Sequence, residues 1–344
     1  MTLPAGLEIG KRELVVCVGE RTSRFANDRE GHQKLLRYLT QGGAAVRVCL
    51  EATGCYHFDV ALALHAHPRV QVQVLNPFAA RRFAEARLQR AKTDRVDAAG
   101  LREYAERMPH QEWEPPSPAL LALRSITRRM RQLADLKSSE GNRLHAATVA
   151  EALPSIVADS VREDLAYLDG QLKRLQREAR ALVKQDPTLA RLLQLLVSVP
   201  GIGERSGLYL LGELAPLARD LSARQLVAHA GLDPRPVESG SSVHKPRHIS
   251  KRGSSRLRQI LYMTALVAAR TDPAFAAFYV KLQQQQKAKK LALVAIMRKQ
   301  LHAIRGIWAS DTPFDAKKLF TKLELPQSEV AAPEREEAPL AIPA

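Results

Sequence analysis

Four carboxylates in the first third of the chain have the side-chain types and spacing of a divalent-metal site. Glu8 lies near the N-terminus, and Glu51 directly follows an apolar strand pattern over residues 46–50. Asp94 and Asp97 lie in a helical pattern, where residues three apart share one face. Carboxylate oxygens are ligands that Mg²⁺ prefers, and a bound metal ion neutralises charge on a reacting phosphate. The acids therefore predict phosphoryl-transfer chemistry.

The spacing of these acids also allows a simpler interpretation. An isolated acid after a strand is usually a solvated loop residue. Asp94 and Asp97 could instead form ion pairs with Arg90, Lys92 or Arg95. Spacing alone does not choose between a metal site and a solvated, ion-paired surface.

A serine-rich turn, Glu238-Ser239-Gly240-Ser241-Ser242, lies far downstream. From Ser239 to Thr271 there is no carboxylate, whereas the cations of this stretch are Lys245, Arg247, Lys251, Arg252, Arg256, Arg258 and Arg270. A stretch of one charge sign favours a bound anion. A serine hydroxyl acts as a nucleophile only when it is activated and the charge of the transition state is stabilised. On chemistry alone, a flexible turn whose serines hydrogen-bond phosphates is the better interpretation.

The composition favours a polyanionic partner. The chain has 52 Lys and Arg against 36 Asp and Glu, a formal net charge of +16. Each phosphate that such a surface neutralises releases condensed counterions. No apolar run approaches the ~20 residues that span a bilayer, and the N-terminus lacks a secretory pattern. Cys17 and Cys49 lie in apolar runs and are expected to be reduced core residues. We therefore expect a cytoplasmic, nucleic-acid-binding protein with no membrane segment.

Hydrophobic periodicity divides the chain into four parts. Residues 1–112 read as α/β, and the prolines of Pro115-Pro116-Ser117-Pro118 mark a boundary because they cannot continue a helix. Residues 113–190 read as a helical spacer, 191–320 as a mainly helical domain and 321–344 as a disordered tail. The spacer contains an a/d seam made of Leu165, Leu168, Leu172, Leu175, Ala179 and Leu182. That seam could pack within the chain, against another subunit, or both.

Several segments resemble the DEDD-type insertion-sequence transposases, which are relatives of the Piv-type DNA invertases. In the first part they are Gly6-Leu7-Glu8-Ile9-Gly10-Lys11, Leu50-Glu51-Ala52-Thr53-Gly54-Cys55-Tyr56, Leu75-Asn76-Pro77 and Lys92-Thr93-Asp94-Arg95-Val96-Asp97-Ala98. In the last part they are Gly231-Leu232-Asp233-Pro234-Arg235, Glu238-Ser239-Gly240-Ser241-Ser242 and Ile249-Ser250-Lys251-Arg252-Gly253. The resemblance covers nearly the whole chain, excluding the tail.

The resemblance implies a fold and a mechanism. The N-terminal part is expected to be an α/β RNase H-like (RuvC-like) nuclease domain, followed by a helical coiled-coil spacer and a mainly α C-terminal transposase domain. Mg²⁺ is expected to bind Glu8, Glu51, Asp94 and Asp97. Ser239, directly after Glu238, matches the catalytic serine of the family, with Ser241 and Ser242 as alternative hydroxyls. The implied partners are DNA and, in at least some members, a structured guide RNA. The resemblance also implies that the protein assembles as a homodimer or homotetramer.

This chain departs from the family pattern at one ligand position. The first acid of the family is an aspartate, whereas the matching residue here is Glu8. Glutamate keeps the charge but is one methylene longer, and metal sites are sensitive to shifts of that size. Pro4 and Gly6 also weaken the strand pattern around this residue.

A second DNA-contacting element is predicted at Val199-Pro200-Gly201-Ile202-Gly203, which resembles the hairpin of a helix-hairpin-helix motif. Gly201 and Gly203 would let backbone N–H groups approach phosphates. A plain turn between two helices explains the same residues equally well.

These observations predict a DNA transposase, or site-specific recombinase, that cleaves and rejoins DNA with a Mg²⁺ site and a serine nucleophile. The predicted nucleic-acid contacts are Lys245, Arg247, Lys251, Arg252, Arg256, Arg258, Gly201 and Gly203. One alternative is a metal-dependent, structure-selective nuclease, resembling a junction resolvase, that uses water. A non-catalytic DNA-binding remnant is a third hypothesis, which the substitution at Glu8 keeps open.

Overall fold

The computed structural model describes residues 2–52, 54, 56–89, 91, 93–149, 154–217, 221–239 and 243–321. It divides into two units, Met1–Pro115 and Pro116–Ala344. The predicted boundaries at residues 112, 190 and 320 stay predictions. The predicted disordered tail lies outside the described residues, except for Thr321. None of the described helices is both long enough and apolar enough to cross a membrane.

The first unit alternates strands and helices as its periodicity predicted. Its elements in chain order are β1 (Leu3–Ile9), β2 (Glu13–Val18), β3 (Arg21–Ala26), α1 (Arg29–Thr40), β4 (Val46–Glu51), α2 (Phe58–His65), β5 (Val70–Leu75), α3 (Pro77–Ala86) and α4 (Asp94–Arg107). The strands form one sheet in the order β3-β2-β1-β4-β5. β1 pairs antiparallel with β2 and parallel with β4, and β5 extends the parallel part. This mixed five-stranded sheet with flanking helices confirms the RNase H-like prediction.

β1 forms the centre of the sheet although its sequence predicts a strand only weakly. Pro4 lies before the β1–β2 ladder begins at Ala5, close to the start of the strand, where proline is tolerated. Gly6 lies directly under α4: a Cβ atom added here would come well within 3.0 Å of the Ala98 carbonyl oxygen and the Arg102 amide nitrogen. Glycine is therefore required at this position by the close approach of two backbones.

We expect Gly6→Ala to destabilise the first unit by about 3 kcal/mol or more, because the clash is with backbone atoms that cannot rotate away. Thermal unfolding followed by circular dichroism measures this loss. Gly42→Ala is the matched control, since a Cβ atom at Gly42 meets nothing within 4 Å. Equal melting temperatures for the two variants would show that α4 can move away from β1.

Residues 81–107 are helical in pattern, and the structure divides this segment between two helices. α3 ends at Ala86, and Leu88 then adopts a left-handed conformation with φ of 54°. α4 begins only at Asp94, where the Thr93 side chain caps it by accepting a hydrogen bond from the Val96 amide. Two local signals, the αL residue and the N-cap, therefore overrode the helical periodicity.

The second unit is mainly helical, as predicted. Its elements are α5 (Pro118–Val149), α6 (Ser155–Gln185), α7 (Pro187–Val197), α8 (Glu204–Leu214), α9 (Ala223–His229), β6 (Pro234–Ser239), β7 (Val243–Ile249), α10 (Ser255–Thr271), α11 (Pro273–Gln284), α12 (Lys289–Ser310) and α13 (Ala316–Leu319). The seam residues Leu168, Leu172 and Ala179 of α6 are buried and share one core with Leu123 and Met130 of α5. The seam thus packs within the chain.

The antiparallel hairpin β6–β7 was not predicted. Pro234 and Pro236 weaken the strand pattern of this segment, because proline cannot donate to a ladder. In the structure Pro234 is the first residue of β6, and Pro236 falls at a register irregularity between Arg235 and Val237. Both prolines therefore occupy positions where strands tolerate them, and Ser239 ends a strand rather than lying in an open turn.

Both cysteines of the sheet are free and buried, which confirms the prediction for Cys17 and Cys49. Burial raises the pKa of the Cys49 thiol to about 12. The Cys49 thiol is thereby unsuited to nucleophilic chemistry at neutral pH. Cys55 lies outside the described residues.

Candidate active site and nucleic-acid interface

Glu8 and Glu51 lie at neighbouring positions of the central sheet. β1 and β4 are parallel, and their register pairs Leu7 with Leu50. One further step in that register places Glu8 opposite Glu51, on strands ~4.8 Å apart. Both residues are half-buried at the C-terminal ends of their strands. The predicted strand acids therefore share one edge and one face of the sheet.

α4 brings the two aspartates toward the same edge. Ala98 packs over Gly6, and the Ala105 carbonyl oxygen accepts a hydrogen bond of 3.4 Å from Nη1 of Arg47. Arg47 lies opposite Pro4, at the start of the parallel strands. α4 consequently runs against β1 and β4, and its N-terminal turn points toward the strand ends that carry the two glutamates.

Asp94 and Asp97 occupy the first turn of α4. Asp94 is exposed, whereas Asp97 is half-buried and accepts a hydrogen bond of 2.8 Å from Nε2 of Gln89. Acids in the first turn also favour the helix dipole, which offers a structural role for both. The Gln89 contact orients the Asp97 carboxylate, as the outer contacts of metal-binding acids commonly do.

The structure brings the four acids to one region but not into one closed cluster. Within the described ranges, no three His, Cys, Asp or Glu side chains are close enough to hold a metal ion together. The donor set nevertheless fits a hard divalent cation, because four carboxylates come from two strands and one helix on one face of the sheet. The geometry supports the predicted donors, and the predicted ligand roles stay predictions.

Ser239 lies at the far end of the hairpin in the second unit. It pairs with Val243, whereas Pro234 pairs with Ile249 at the other end. The five intervals from Pro234 to Ser239 correspond to about 17 Å of extended chain. The side chains of Ser239, Lys245 and Arg247 lie outside the described part of the structure, as do residues 240–242.

Two glycines in direct contact hold the end of the hairpin opposite Ser239, where Pro234 pairs with Ile249. Gly231 has φ of 65°, and a Cβ atom on it would meet the Gly253 amide nitrogen at 2.9 Å. The Lys251 amide donates to the Gly231 carbonyl at 3.0 Å, and the Ser254 amide donates to the His229 carbonyl at 2.8 Å. We call residues 229–233 together with 250–254 the clasp. Both glycines belong to the family motifs, but no local pattern in the sequence indicates that they are in contact.

The predicted cationic contacts divide into two kinds. Lys251, Arg252 and Arg256 are exposed where the clasp meets α10. Arg258 instead donates hydrogen bonds of 3.0 Å to the carbonyl oxygens of Ala230 and Gly253. Arg258 therefore holds the clasp, and its predicted nucleic-acid contact stays a prediction.

The predicted hairpin at 199–203 connects α7 and α8 and packs against α10. Gly201 has φ of 83°, and a Cβ atom there would collide with the Thr264 carbonyl oxygen. The Pro200 carbonyl oxygen accepts a hydrogen bond of 3.1 Å from Nε2 of Gln300. Packing therefore accounts for Gly201, while Gly203 is exposed and precedes the N-terminus of α8.

Comparisons with known proteins agree with both halves of the chain. A DEDD transposase model of the IS110 type matches residues 5–152, and a model described as the transposase IS116/IS110/IS902 family matches residues 193–280. The chain is 28% identical over 323 residues to the pilin gene-inverting protein of Moraxella bovis, covering 91% of this chain and 97% of that protein. The corresponding protein of Moraxella lacunata is 27% identical over the same length.

A second kind of relative is the transposase for insertion sequence element IS1328 of Yersinia enterocolitica. It is 25% identical over 288 residues, covering 76% of this chain and 82% of that protein. The first matched segment contains the four acids, and the second contains the serine hairpin. The order of the two models, the sheet topology and the full-length relatives agree, and this chain belongs to the IS110 family of DEDD transposases.

Proposed function

We propose that this protein cleaves and rejoins DNA by using the four acids of the first unit and Ser239 of the second. The observation that carries the proposal is the convergence of Glu8, Glu51 and the N-terminus of α4 on one edge of an RNase H-like sheet. Membership of a transposase family makes DNA the substrate. The residue roles are our inference from that geometry and from the matching motifs.

Glu8, Glu51, Asp94 and Asp97 are proposed to hold Mg²⁺. When bound, the metal would neutralise charge on the scissile phosphate. The protein's own contribution is to orient the acids: the paired strands β1 and β4 fix the two glutamates, and Gln89 orients Asp97. The half-buried position of three of the four acids also limits competing water.

Ser239 is proposed to form the covalent intermediate. Its Oγ atom attacks the scissile phosphorus, the P–O bond to the leaving strand breaks, and the leaving oxygen takes up a proton. A strand hydroxyl then attacks the same phosphorus and releases Ser239 with its proton restored. Each step exchanges one phosphoester bond for another, so rejoining needs no external energy source. Exposed Lys251, Arg252 and Arg256 are proposed to bind the phosphates of the nucleic acid.

The family resemblance extends the proposal to partners. Exchange of four strands requires more than one active subunit, so we propose a homodimer or homotetramer. A structured guide RNA is proposed as a second polyanionic ligand, supported here only by the formal net charge of +16.

Trapping the covalent intermediate tests the proposed function. The protein is incubated with Mg²⁺ and labelled DNA that carries the ends of the element, and denaturing electrophoresis separates labelled products. A protease-sensitive, SDS-resistant adduct supports the serine mechanism. Metal-dependent nicking without an adduct would support a nuclease that uses water, and the absence of both would support a non-catalytic DNA-binding protein.

Replacing Lys251 and Arg252 together with alanine should weaken DNA affinity and flatten its dependence on salt. Each lost phosphate contact lowers the slope of log affinity against log salt by ~0.9, so we expect a change of about 1.8. Fluorescence anisotropy at several salt concentrations measures the slope. An unchanged slope would show that both side chains point away from the DNA.

Arg258→Ala provides the contrast to that double variant. It removes two hydrogen bonds from a charged donor, each worth about 1.5–3 kcal/mol, and should lower the stability of the second unit. Thermal unfolding measures this loss. A lower melting temperature for Arg258→Ala than for the Lys251 and Arg252 double variant would show that Arg258 holds the clasp.

A further inference from the structure

A buried glutamate is paired with a half-buried arginine in the second unit where α5 and α8 pack together. Glu213 of α8 is 7% exposed, and Arg128 of α5 donates to it through Nε at 2.7 Å and Nη2 at 3.1 Å. This two-bonded geometry satisfies both oxygens of the carboxylate. Glu213 is therefore fully engaged by one arginine.

Arg124 lies one turn before Arg128 on α5 and has no such partner. Its Nε atom is buried without a hydrogen bond. In the part of the chain that the structure describes, its guanidinium forms neither a hydrogen bond nor an ion pair. Burial lowers the pKa of Arg124, the charge of Arg128 lowers it further, Glu213 opposes this, and Arg256 adds to the lowering. Since arginine stays protonated in proteins, Arg124 carries an uncompensated positive charge.

Positive charge exceeds negative charge around this residue. Arg128 is paired with Glu213, and the charge of Arg256 also acts on Arg124, so the one carboxylate does not balance the arginines. His229 does not change that balance, because burial lowers its pKa and favours the neutral ring, with opposing effects from Glu213 and Arg124. A half-buried charge without a partner is costly, and proteins retain such a conflict mainly at functional sites.

The backbone at Arg124 is held by close packing against α8. Gly212 of α8 lies so close to α5 that a Cβ atom there would come within 3.0 Å of Thr127 Oγ1 and 3.4 Å of the Arg124 Cα atom. Arg256 lies in the first turn of α10, directly after the clasp and its N-cap Ser254. The N-terminus of a helix favours an anion. The Arg124 guanidinium, the exposed Arg256 and the N-terminus of α10 thus provide the kinds of donor that a phosphate group binds.

We propose that Arg124 and Arg256 bind one phosphodiester group of a nucleic-acid backbone beside the clasp. The planar guanidinium of Arg124 can make the paired hydrogen bonds to phosphate that it lacks within the protein. The bound phosphate contributes the negative charge that Glu213 cannot supply. This site depends on nucleic-acid binding alone and not on the nucleophilic role of Ser239.

Arg124→Gln tests the site, with Arg129→Gln as the matched control. Arg129 lies on the same helix but is exposed and bonded to Gln132. Affinities for a labelled 30-base-pair DNA duplex and an RNA duplex of equal length are measured at several salt concentrations. We expect Arg124→Gln to raise Kd about 5-fold to 10-fold near 0.1 M salt and to lower the DNA slope by ~0.9. The control should change Kd less than about 2-fold.

The two duplexes identify the source of the phosphate. If Arg124→Gln weakens affinity for the DNA duplex alone, the site binds the DNA substrate. If it weakens affinity for the RNA duplex alone, the site binds an RNA ligand. Unchanged slopes on both duplexes would overturn the proposal. Because no cleavage is measured, an inactive enzyme or an incorrect nucleophile does not affect the result.

Melting temperatures distinguish a binding role from a structural one. Arg128→Gln should lower the melting temperature because it leaves Glu213 buried without its partner. Arg124→Gln should not lower it, since an uncompensated charge is removed. Inorganic phosphate should stabilise the wild type and have a smaller effect on Arg124→Gln. A melting temperature for Arg124→Gln as low as that of Arg128→Gln, with an unchanged phosphate effect, would show that Arg124 serves only the fold.

Discussion

Ser239→Ala is expected to abolish the covalent protein–DNA adduct and to reduce recombination by about 10⁴-fold or more. The alanine keeps the backbone of β6 but removes the oxygen that attacks phosphorus, and loss of a covalent nucleophile has effects of this size. Denaturing electrophoresis of labelled DNA measures the adduct, and recombination between two plasmids measures the complete reaction. DNA affinity should stay close to that of the wild type.

Ser241→Ala and Ser242→Ala are the matched controls, because they remove hydroxyl groups from the same segment. Both should retain adduct formation, since only Ser239 directly follows the glutamate of the motif. An adduct that persists in Ser239→Ala and disappears in one of the controls would move the nucleophile to that neighbour. Persistent DNA nicking without any adduct would favour hydrolysis by water.

The position of Ser239 makes the clasp relevant to this chemistry. A two-stranded hairpin is only marginally stable by itself, and β6–β7 forms its own two-stranded sheet. The contact between Gly231 and Gly253 and the hydrogen bonds of Arg258 hold the near end of that hairpin. The orientation of the strand that ends at Ser239 therefore depends on residues at its opposite end.

The fold of the first unit could be predicted where apolar residues alternate or recur with a clear period. β2, β4 and β5 followed from such patterns. β1 was only weakly predicted because Pro4 and Gly6 oppose a strand locally. The packing of α4 on Gly6 supplies the reason for that glycine, and it connects residues too far apart in sequence for a local pattern to show.

The candidate site could be predicted as a set of residues but not as a geometry. The motifs identified the acids and Ser239, whereas the opposed positions of Glu8 and Glu51 required the register of two strands. The hairpin was not predicted, because Pro234 and Pro236 weaken the strand pattern of β6, and only the register shows that they lie at a strand start and at an irregularity. Arg124 was not predicted as a site residue, because its lack of an ion-pair partner follows from the pairing of Glu213 with Arg128. These residues are distant in sequence, so no local pattern shows the pairing.

Replacing the acids with their amides should have the other large effect. We expect Glu51→Gln, Asp94→Asn and Asp97→Asn each to reduce Mg²⁺-dependent cleavage by about 10³-fold or more, while nucleic-acid binding is largely kept. An amide matches the shape of the acid but lacks the charge that holds the metal. Cleavage of end-bearing DNA and anisotropy of the same duplex measure the two properties. Near wild-type cleavage in any two variants would remove the metal-site assignment.

Glu8 is the most informative member of this set, because the family has aspartate at the matching position. Glu8→Gln should be as damaging as Asp94→Asn if Glu8 binds metal from its place opposite Glu51. Glu8→Asp should keep cleavage, since it retains the charge and restores the shorter ligand. Gly6 packs closely against α4, so we expect the extra methylene of Glu8 to be accommodated by its own side-chain torsions and not by a shift of β1. If Glu8→Gln cleaves like the wild type, Glu8 is no ligand and at most three acids hold the metal.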